Sequence, residues 1–106
     1  MARKEFETLT PQMYYTLLVL KNPHHGYEIM NEIAELTDRA VQVGAGTLYA
    51  LLPRFIEDGY IAMVQETDRK KIYQITDAGR RKLLQETVKM ERMLRNYREV
   101  FNDEKI

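Results

Sequence analysis

Three consecutive cations, Arg69-Lys70-Lys71, stand between two stretches rich in β-branched and aromatic residues. A compact basic cluster of this kind neutralises phosphates. A second set of residues lies upstream. Gly46 and Thr47 open an apolar run whose stripe is Leu48, Leu51, Leu52, Phe55 and Ile56, and Tyr49 and Arg54 fall off that stripe. The free N–H groups of a helix start, helped by a threonine hydroxyl, can hold a phosphate. A tyrosine hydroxyl can bond one, and an arginine can pair with a phosphate or a guanine edge. Tyr27 is a further candidate of the same type. The chemistry these residues share is recognition of a phosphate-rich polyanion, with double-stranded DNA as the expected partner.

Other chemistries lack their residues. There is no cysteine, which removes disulfides and thiolate metal sites. His24 and His25 are the only histidines, and two adjacent side chains do not converge on one metal. The sequence offers no paired carboxylates and no nucleophile with a base, and Gly44-Ala45-Gly46 is too short for a phosphate-cradling glycine loop. The reading is therefore of a non-enzyme with no metal and no cofactor. Arg80-Arg81-Lys82 reads as a solvated face at a helix start.

The elements that must position these residues follow from periodicity. Thr10 caps a first helix with Pro11 in its first turn, ending near Lys21 before Asn22-Pro23. A second helix runs from about Gly26 to Leu36, with Ile29, Met30, Ile33 and Leu36 as its stripe. Residues 37–44 carry weaker signals and read as a loop or short extension. A third helix starts near Gly46 or Thr47 and ends at Asp58, with Gly59 as a C′ residue. Pro53 lies inside it and predicts a bend over 50–53. Tyr60–Gln65 and Lys71–Ile75 read as antiparallel strands with a charged tip between them. Tyr14, Tyr60 and Tyr73 are expected in the core.

A long last helix follows Thr76. Leu83, Thr87, Met90, Leu94, Tyr97 and Phe101 recur at alternating steps of four and three, a heptad-like seam. At ~1.5 Å per residue this helix spans about 38 Å, more than the ~26 Å width of a compact domain of this size. Its far half therefore needs a second subunit to cover it. The expected interface is Leu83, Met90, Leu94, Tyr97 and Phe101 in a homodimer.

Three short helices followed by a hairpin is the order of a winged helix-turn-helix domain. The expected fold is mainly α with a small β-hairpin: a winged helix domain over 1–75, then a C-terminal dimerisation helix with a frayed tail over 76–106. The sequence resembles the PadR family of bacterial transcriptional regulators. The matching segments are His25-Gly26-Tyr27-Glu28-Ile29, Gly46-Thr47-Leu48-Tyr49, Arg54-Phe55 with Glu57-Asp58-Gly59-Tyr60-Ile61, and Lys71-Ile72-Tyr73-Gln74-Ile75-Thr76 with Gly79. The resemblance implies a winged helix dimer, usually a repressor, whose last helix packs on the partner and which responds to small aromatic or drug-like molecules. It also implies that His25 fixes the start of the second helix. Two features depart from the pattern. Pro53 stands where a Lys or Arg is more usual, and there is no Trp, which some drug-binding relatives use to build a flat ligand slot. The short C-terminal part matches members with a single terminal helix.

Composition sets the remaining expectations. The 106 residues are 44% hydrophobic and 30% charged, enough for one domain with a modest core. No apolar run approaches the ~18 residues of a membrane span, and Met1 to Pro11 lacks the apolar stretch of a signal peptide. A cytoplasmic location is expected. Sixteen basic and sixteen acidic residues give zero net charge, so binding to DNA would rest on local clusters and on two subunits. The competing reading is a winged helix used for protein–protein assembly without DNA. An acidic or apolar hairpin tip would have favoured it.

Overall fold

The structure is a computed structural model that describes residues 8–102. It contains α1 (Pro11–Val19), α2 (Gly26–Leu36), α3 (Ala45–Glu57), β1 (Ile61–Glu66), β2 (Lys71–Ile75) and α4 (Asp77–Val100). The fold is the expected one: four helices and a two-stranded antiparallel hairpin, with a long final helix.

Three of the four helices begin at a residue whose side chain accepts from a free N–H group. Thr10 Oγ1 accepts from the Met13 N–H at 3.2 Å, and Thr76 Oγ1 accepts from the Gly79 N–H at 3.1 Å. His25 caps α2 through Nδ1, which accepts from the Glu28 N–H at 3.4 Å, while the Glu28 carboxylate accepts from the His25 N–H at 3.1 Å. The inferred role of His25 is thus visible. Helix α3 starts at Ala45, one to two residues before the predicted Gly46 or Thr47. Gly44 is its N-cap in extended conformation and makes no side-chain cap bond. Glycine caps through its backbone alone, so the apolar stripe gave no signal for the earlier start.

The end of α3 is closed by a Schellman motif. The Tyr60 N–H donates to the Phe55 carbonyl and the Gly59 N–H to the Ile56 carbonyl, with Gly59 at φ +81°. The accompanying hydrophobic contact is Phe55 on Tyr60, ring centroids 6.3 Å apart. Tyr60 therefore belongs to this turn and β1 starts at Ile61, one residue later than predicted. Helix α3 is not interrupted at Pro53, although proline cannot donate to the Tyr49 carbonyl.

Residues 37–44 form the turn between α2 and α3. Asp38 and Arg39 both have positive φ, 51° and 66°. Aspartate tolerates that region and arginine does so at a cost. The turn is held by Thr37, whose hydroxyl donates to Ile33 or Val41 carbonyls and accepts from the Val41 N–H.

The core lies between α1, α2, α3 and the hairpin. Leu17, Leu20, Ile29, Ile33, Leu48, Leu52 and Phe55 are almost fully buried, joined by Tyr60, Ile61, Tyr73 and Ile75. Tyr60 and Tyr73 are core residues as predicted, whereas Tyr14 is only partly buried. The hairpin is stitched to the helices by backbone. His24 and Tyr73 exchange two bonds, 3.0 and 2.9 Å, and the Ile75 N–H donates to the Leu20 carbonyl at 2.9 Å. Gly79 lets α4 approach the hairpin. A Cβ there would collide with the Tyr60 carbonyl oxygen and lie 2.7 Å from Ile75 Cγ1.

Helix α4 has two regimes. From Asp77 to Thr87 it packs on the domain: Leu83 lies against the core and Thr87 shares a 2.7 Å hydrogen bond with the Tyr14 hydroxyl. Leu83 thus faces its own domain, unlike the other four seam residues expected at the dimer interface. From Val88 to Asn102 every residue is exposed. The radius of gyration is 15.7 Å, against ~13 Å for a compact chain of about 100 residues.

The clamp between the regimes is Glu86, 5% exposed. Its carboxylate accepts from the Leu9 N–H at 2.7 Å and pairs with Lys89 Nζ at 2.6 Å and Lys82 Nζ at 3.9 Å. Burial pushes its pKa up. The Lys89 and Leu9 hydrogen bonds and the Lys82 charge more than offset this, so the group sits below its ordinary value of 4.5. A lowered folded pKa means stability that is present above the unfolded value and lost as pH falls through the folded one. Glu86→Gln should therefore lower unfolding free energy at pH 7 by about 1–3 kcal/mol. In urea titrations the gap to wild type should close below pH 4, and a gap independent of pH would show that the charge is irrelevant.

Candidate nucleic-acid interface

At about 100° per residue, the buried residues of α3, Leu48, Leu51, Leu52 and Phe55, share one narrow arc. Gly46, Thr47, Tyr49, Ala50, Pro53, Arg54 and Glu57 fill the other side and are all exposed. Thr47 and Arg54, seven residues apart, lie in line along the helix. Tyr49 and Pro53, four apart, form the opposite edge of the exposed face. Helix α3 is thus fixed by its stripe on the core and offers its whole outer surface to a partner.

The hairpin stands beside the Tyr49 edge. Its ladder pairs Ile61 with Ile75 and Glu66 with Lys71, and the register slips between Met63 and Gln65, where Val64 bulges. The tip is closed by the Thr67 N–H donating to the Lys70 carbonyl at 2.8 Å and by Lys70 N–H to Thr67 Oγ1 at 3.2 Å. Arg69, Lys70 and Lys71 are exposed. Glu66 and Asp68 share the tip with them, two acids against three bases, so the wing is less cationic than its basic run alone suggests.

An open groove of 610 Å³ runs between the tip, the start of α2 and the Tyr49 edge of α3. Among its lining residues are Tyr27, Tyr49, Arg69, Lys70 and Lys71, five of the eight residues assigned to DNA from the sequence. Gly46, Thr47 and Arg54 lie outside it, farther round α3. Arg54 is in the last turn of α3 and is already engaged in an interaction within the chain. The groove also takes in residues that the sequence reading gave no DNA role: His25, Gly26, Leu52, Pro53 and Tyr73, with Glu66, Thr67 and Asp68 of the tip. Gly26 was legible only as part of a motif. Pro53 was read for its effect on the helix and as the loss of a basic side chain that could meet a phosphate.

Tyr49 is 55% exposed, yet its ring is not free. It lies on the bare backbone of Gly26: a Cβ there would come 2.8 Å from Cζ and 3.0 Å from Cε1, and closer still to the hydroxyl. Tyr73 forms part of the same junction. Burial raises its phenol pKa, and the charges of Tyr49 and Glu66 add to the shift. At the rim, Glu28 is held below the ordinary carboxylate value, first by the His25 N–H and then by the neighbouring imidazoles. His24 Nδ1 and His25 Nε2 are each 3.5 Å from its Oε1.

Among the described residues no group of three or more His, Cys, Asp or Glu could hold a metal ion, and no helix is long and apolar enough to cross a membrane.

The family model described as "Transcriptional regulator PadR-like family" matches residues 16–85. A transcriptional regulator from Clostridium thermocellum superposes with a TM-score of 0.68 at 29% identity, over 85% of this chain and 88% of that one. A PadR-like transcription factor from Bacteroides fragilis gives a TM-score of 0.69 at 24% identity, over 82% and 86%. Uncharacterized protein X of Lysinibacillus sphaericus is 34% identical over 67 residues, 59% of this chain. The match spans 62% of that relative's length.

The groove separates two kinds of contact that can be measured. Replacing Arg69, Lys70 and Lys71 together with Ala should weaken binding to every duplex DNA alike. It should also flatten the salt dependence by about 0.9 in slope for each phosphate no longer neutralised. Arg54→Ala, outside the groove, should relax sequence preference more than it lowers affinity. An unchanged salt slope in the triple variant would remove the wing from the interface, and a uniform loss in Arg54→Ala would make that residue a phosphate contact.

Proposed function

The chain belongs to the transcriptional regulator PadR-like family, and on that premise we propose that this DNA-binding transcription regulator is a cytoplasmic repressor that grips an inverted-repeat operator as a homodimer. The observation that carries the reading is the outer face of α3, exposed along its length and flanked by the basic wing. In the proposed complex α3 enters the major groove. Gly46 and Thr47 present the helix start to a phosphate, Arg54 reads a base edge, and Tyr27 with Arg69, Lys70 and Lys71 holds the flanking backbone.

The homodimer reading rests on α4. Residues 1–75 form the reading domain and residues 76–106 the dimerisation part, although Leu83, Glu86 and Thr87 serve to fix α4 on the domain. Beyond them Met90, Leu94, Tyr97 and Phe101 continue the seam in solvent, each 42–44% exposed. Tyr97 and Phe101 stack with centroids 5.0 Å apart, a preassembled apolar surface. Met93 and Val100 are more exposed still, so the helix is apolar on more than the predicted seam. A second copy covers such a surface reciprocally, as a two-fold interface requires. Two α3 helices then face successive turns of the duplex.

Release by a small aromatic or drug-like effector is part of the proposal. An apolar groove of 780 Å³ between α1 and α4, with Tyr14, Tyr15, Met90 and Met93 in its wall, supports it.

Selection of bound duplexes from a random-sequence library tests DNA reading directly. An inverted repeat with half-sites about one helical turn apart is expected, and recovery of no sequence would favour the assembly-module reading. For the dimer, Leu94→Glu combined with Tyr97→Glu should give a folded monomer by light scattering at micromolar concentration. Affinity for the selected duplex should fall to that for random DNA. An unchanged dimer would place the interface elsewhere.

A further inference from the structure

The reading face depends on how far α3 stands from the start of α2, and Tyr49 meets Gly26 across that gap. Gly26 is the first residue of α2 and is buried. The Tyr49 phenol lies in the space that any other residue would fill with a Cβ, its hydroxyl nearest and ring atoms Cζ and Cε1 at 2.8 and 3.0 Å from that position. Nothing in the backbone asks for glycine here. Gly26 follows a well-formed cap and does not have positive φ. In the first turn of a helix alanine is normally the better residue. The glycine is therefore explained by the phenol that occupies its missing side chain.

The start of α2 is itself anchored. His25 caps it, and His24 is bonded to Tyr73 of the wing by two backbone hydrogen bonds. A ring seated on Gly26 is therefore braced against an anchored support. We propose that Tyr49 is a positioning residue, a spacer that bears on Gly26 and so sets the width of the groove between α3 and the wing. On this view its ring acts on α2, and not its hydroxyl on DNA. The proposal rests on the DNA-reading function above and assigns this pair the task of holding α3 at the correct angle to the wing.

A double-mutant cycle tests it, using the intact dimer and two probes: a duplex selected by the wild type from a random library, and a random duplex of equal length. Gly26→Ala should push the ring off its seat and lower affinity for the selected duplex about tenfold. Affinity for the random duplex should change by less than about twofold, because phosphate contacts tolerate small shifts. In a Tyr49→Ala background the same change should have no further effect. Tyr49→Phe keeps the ring on Gly26 and should stay within about twofold of wild type on both probes.

Thermal unfolding gives a readout that needs no DNA. Gly26→Ala should lower Tm when Tyr49 is present, and leave it unchanged or raise it when Tyr49 is Ala. Equal costs of Gly26→Ala in both backgrounds, by binding or by Tm, would overturn the proposal. So would a Tyr49→Phe variant as impaired as Tyr49→Ala, which would assign the effect to the hydroxyl. A wild type that binds no duplex overturns the DNA-reading function and the proposal with it. A wild type that binds while the cycle shows no coupling overturns the proposal alone.

Discussion

Two backbone hydrogen bonds between His24 and Tyr73 hold the architecture of the outer face together. They join the loop between α1 and α2 to β2, and the bond from Ile75 to Leu20 extends the join by one more rung. Through them the wing and the start of α2 share one frame. The pairing is protected because Tyr73 and Ile75 are buried on the core side. Bonds shielded from water are costly to break, since the freed groups would be left without partners. The His25 cap, the ring on Gly26 and the groove below the wing tip all depend on this join. The join adds a backbone tie to a hairpin that is otherwise held by side-chain packing on the core and by α4, and a two-stranded ribbon without such support is marginal in water.

Helix α4 answers to a different constraint. It is tied down over its first half by Glu86, by the Tyr14–Thr87 bond and by the close approach that Gly79 allows. Past that point it leaves the domain. A carboxylate nearly removed from water is an expensive anchor, tolerable only with several partners around it. Its value here is directional. It fixes the exit angle of a helix that carries Leu94, Tyr97 and Phe101 into solvent. Any dimer built on that half inherits the angle, and with it the spacing of two α3 helices.

Much of this could be read from the sequence because the relevant signals are local. Helix starts followed from Thr10 and Thr76, the end of α3 from Gly59, and the two strands from their β-branched and aromatic content. Hydrophobic spacing on α3 identified which side would face out, except at Ile56, which was placed on the buried stripe and is exposed. Features that depend on distant residues stayed hidden. Glu86 sits among charged residues on α4, and only the fold shows that Leu9, 77 positions away, donates to it. Likewise the seam assigned Leu83 to a partner because periodicity cannot tell a partner from the chain's own core. The start of α3 was missed for a local reason: a glycine cap carries no side-chain signature. Of the eight residues assigned to DNA, five line one groove and three do not, because helical spacing orders residues around α3 but does not say where the wing lies.

The charge distribution decides what such a surface can do. The chain has no net charge, and its wing tip carries two acids beside its three bases. Counterion release, the main source of indiscriminate affinity, scales with the number of phosphates neutralised. On the proposed function, one copy of this domain would offer few such contacts and would grip random duplex weakly. Sequence-reading contacts, by contrast, need α3 at a defined depth and angle, and they gain from every constraint that removes slack. The fold supplies such constraints: a helix start held by a capping box, a ring seated on bare backbone, a wing bonded to the loop before α2, and a final helix clamped at its exit. In the proposed dimer, a neutral protein built this way would rely on geometry and on pairing two readers, because two rigidly spaced weak grips combine into one strong one only when both fit at once.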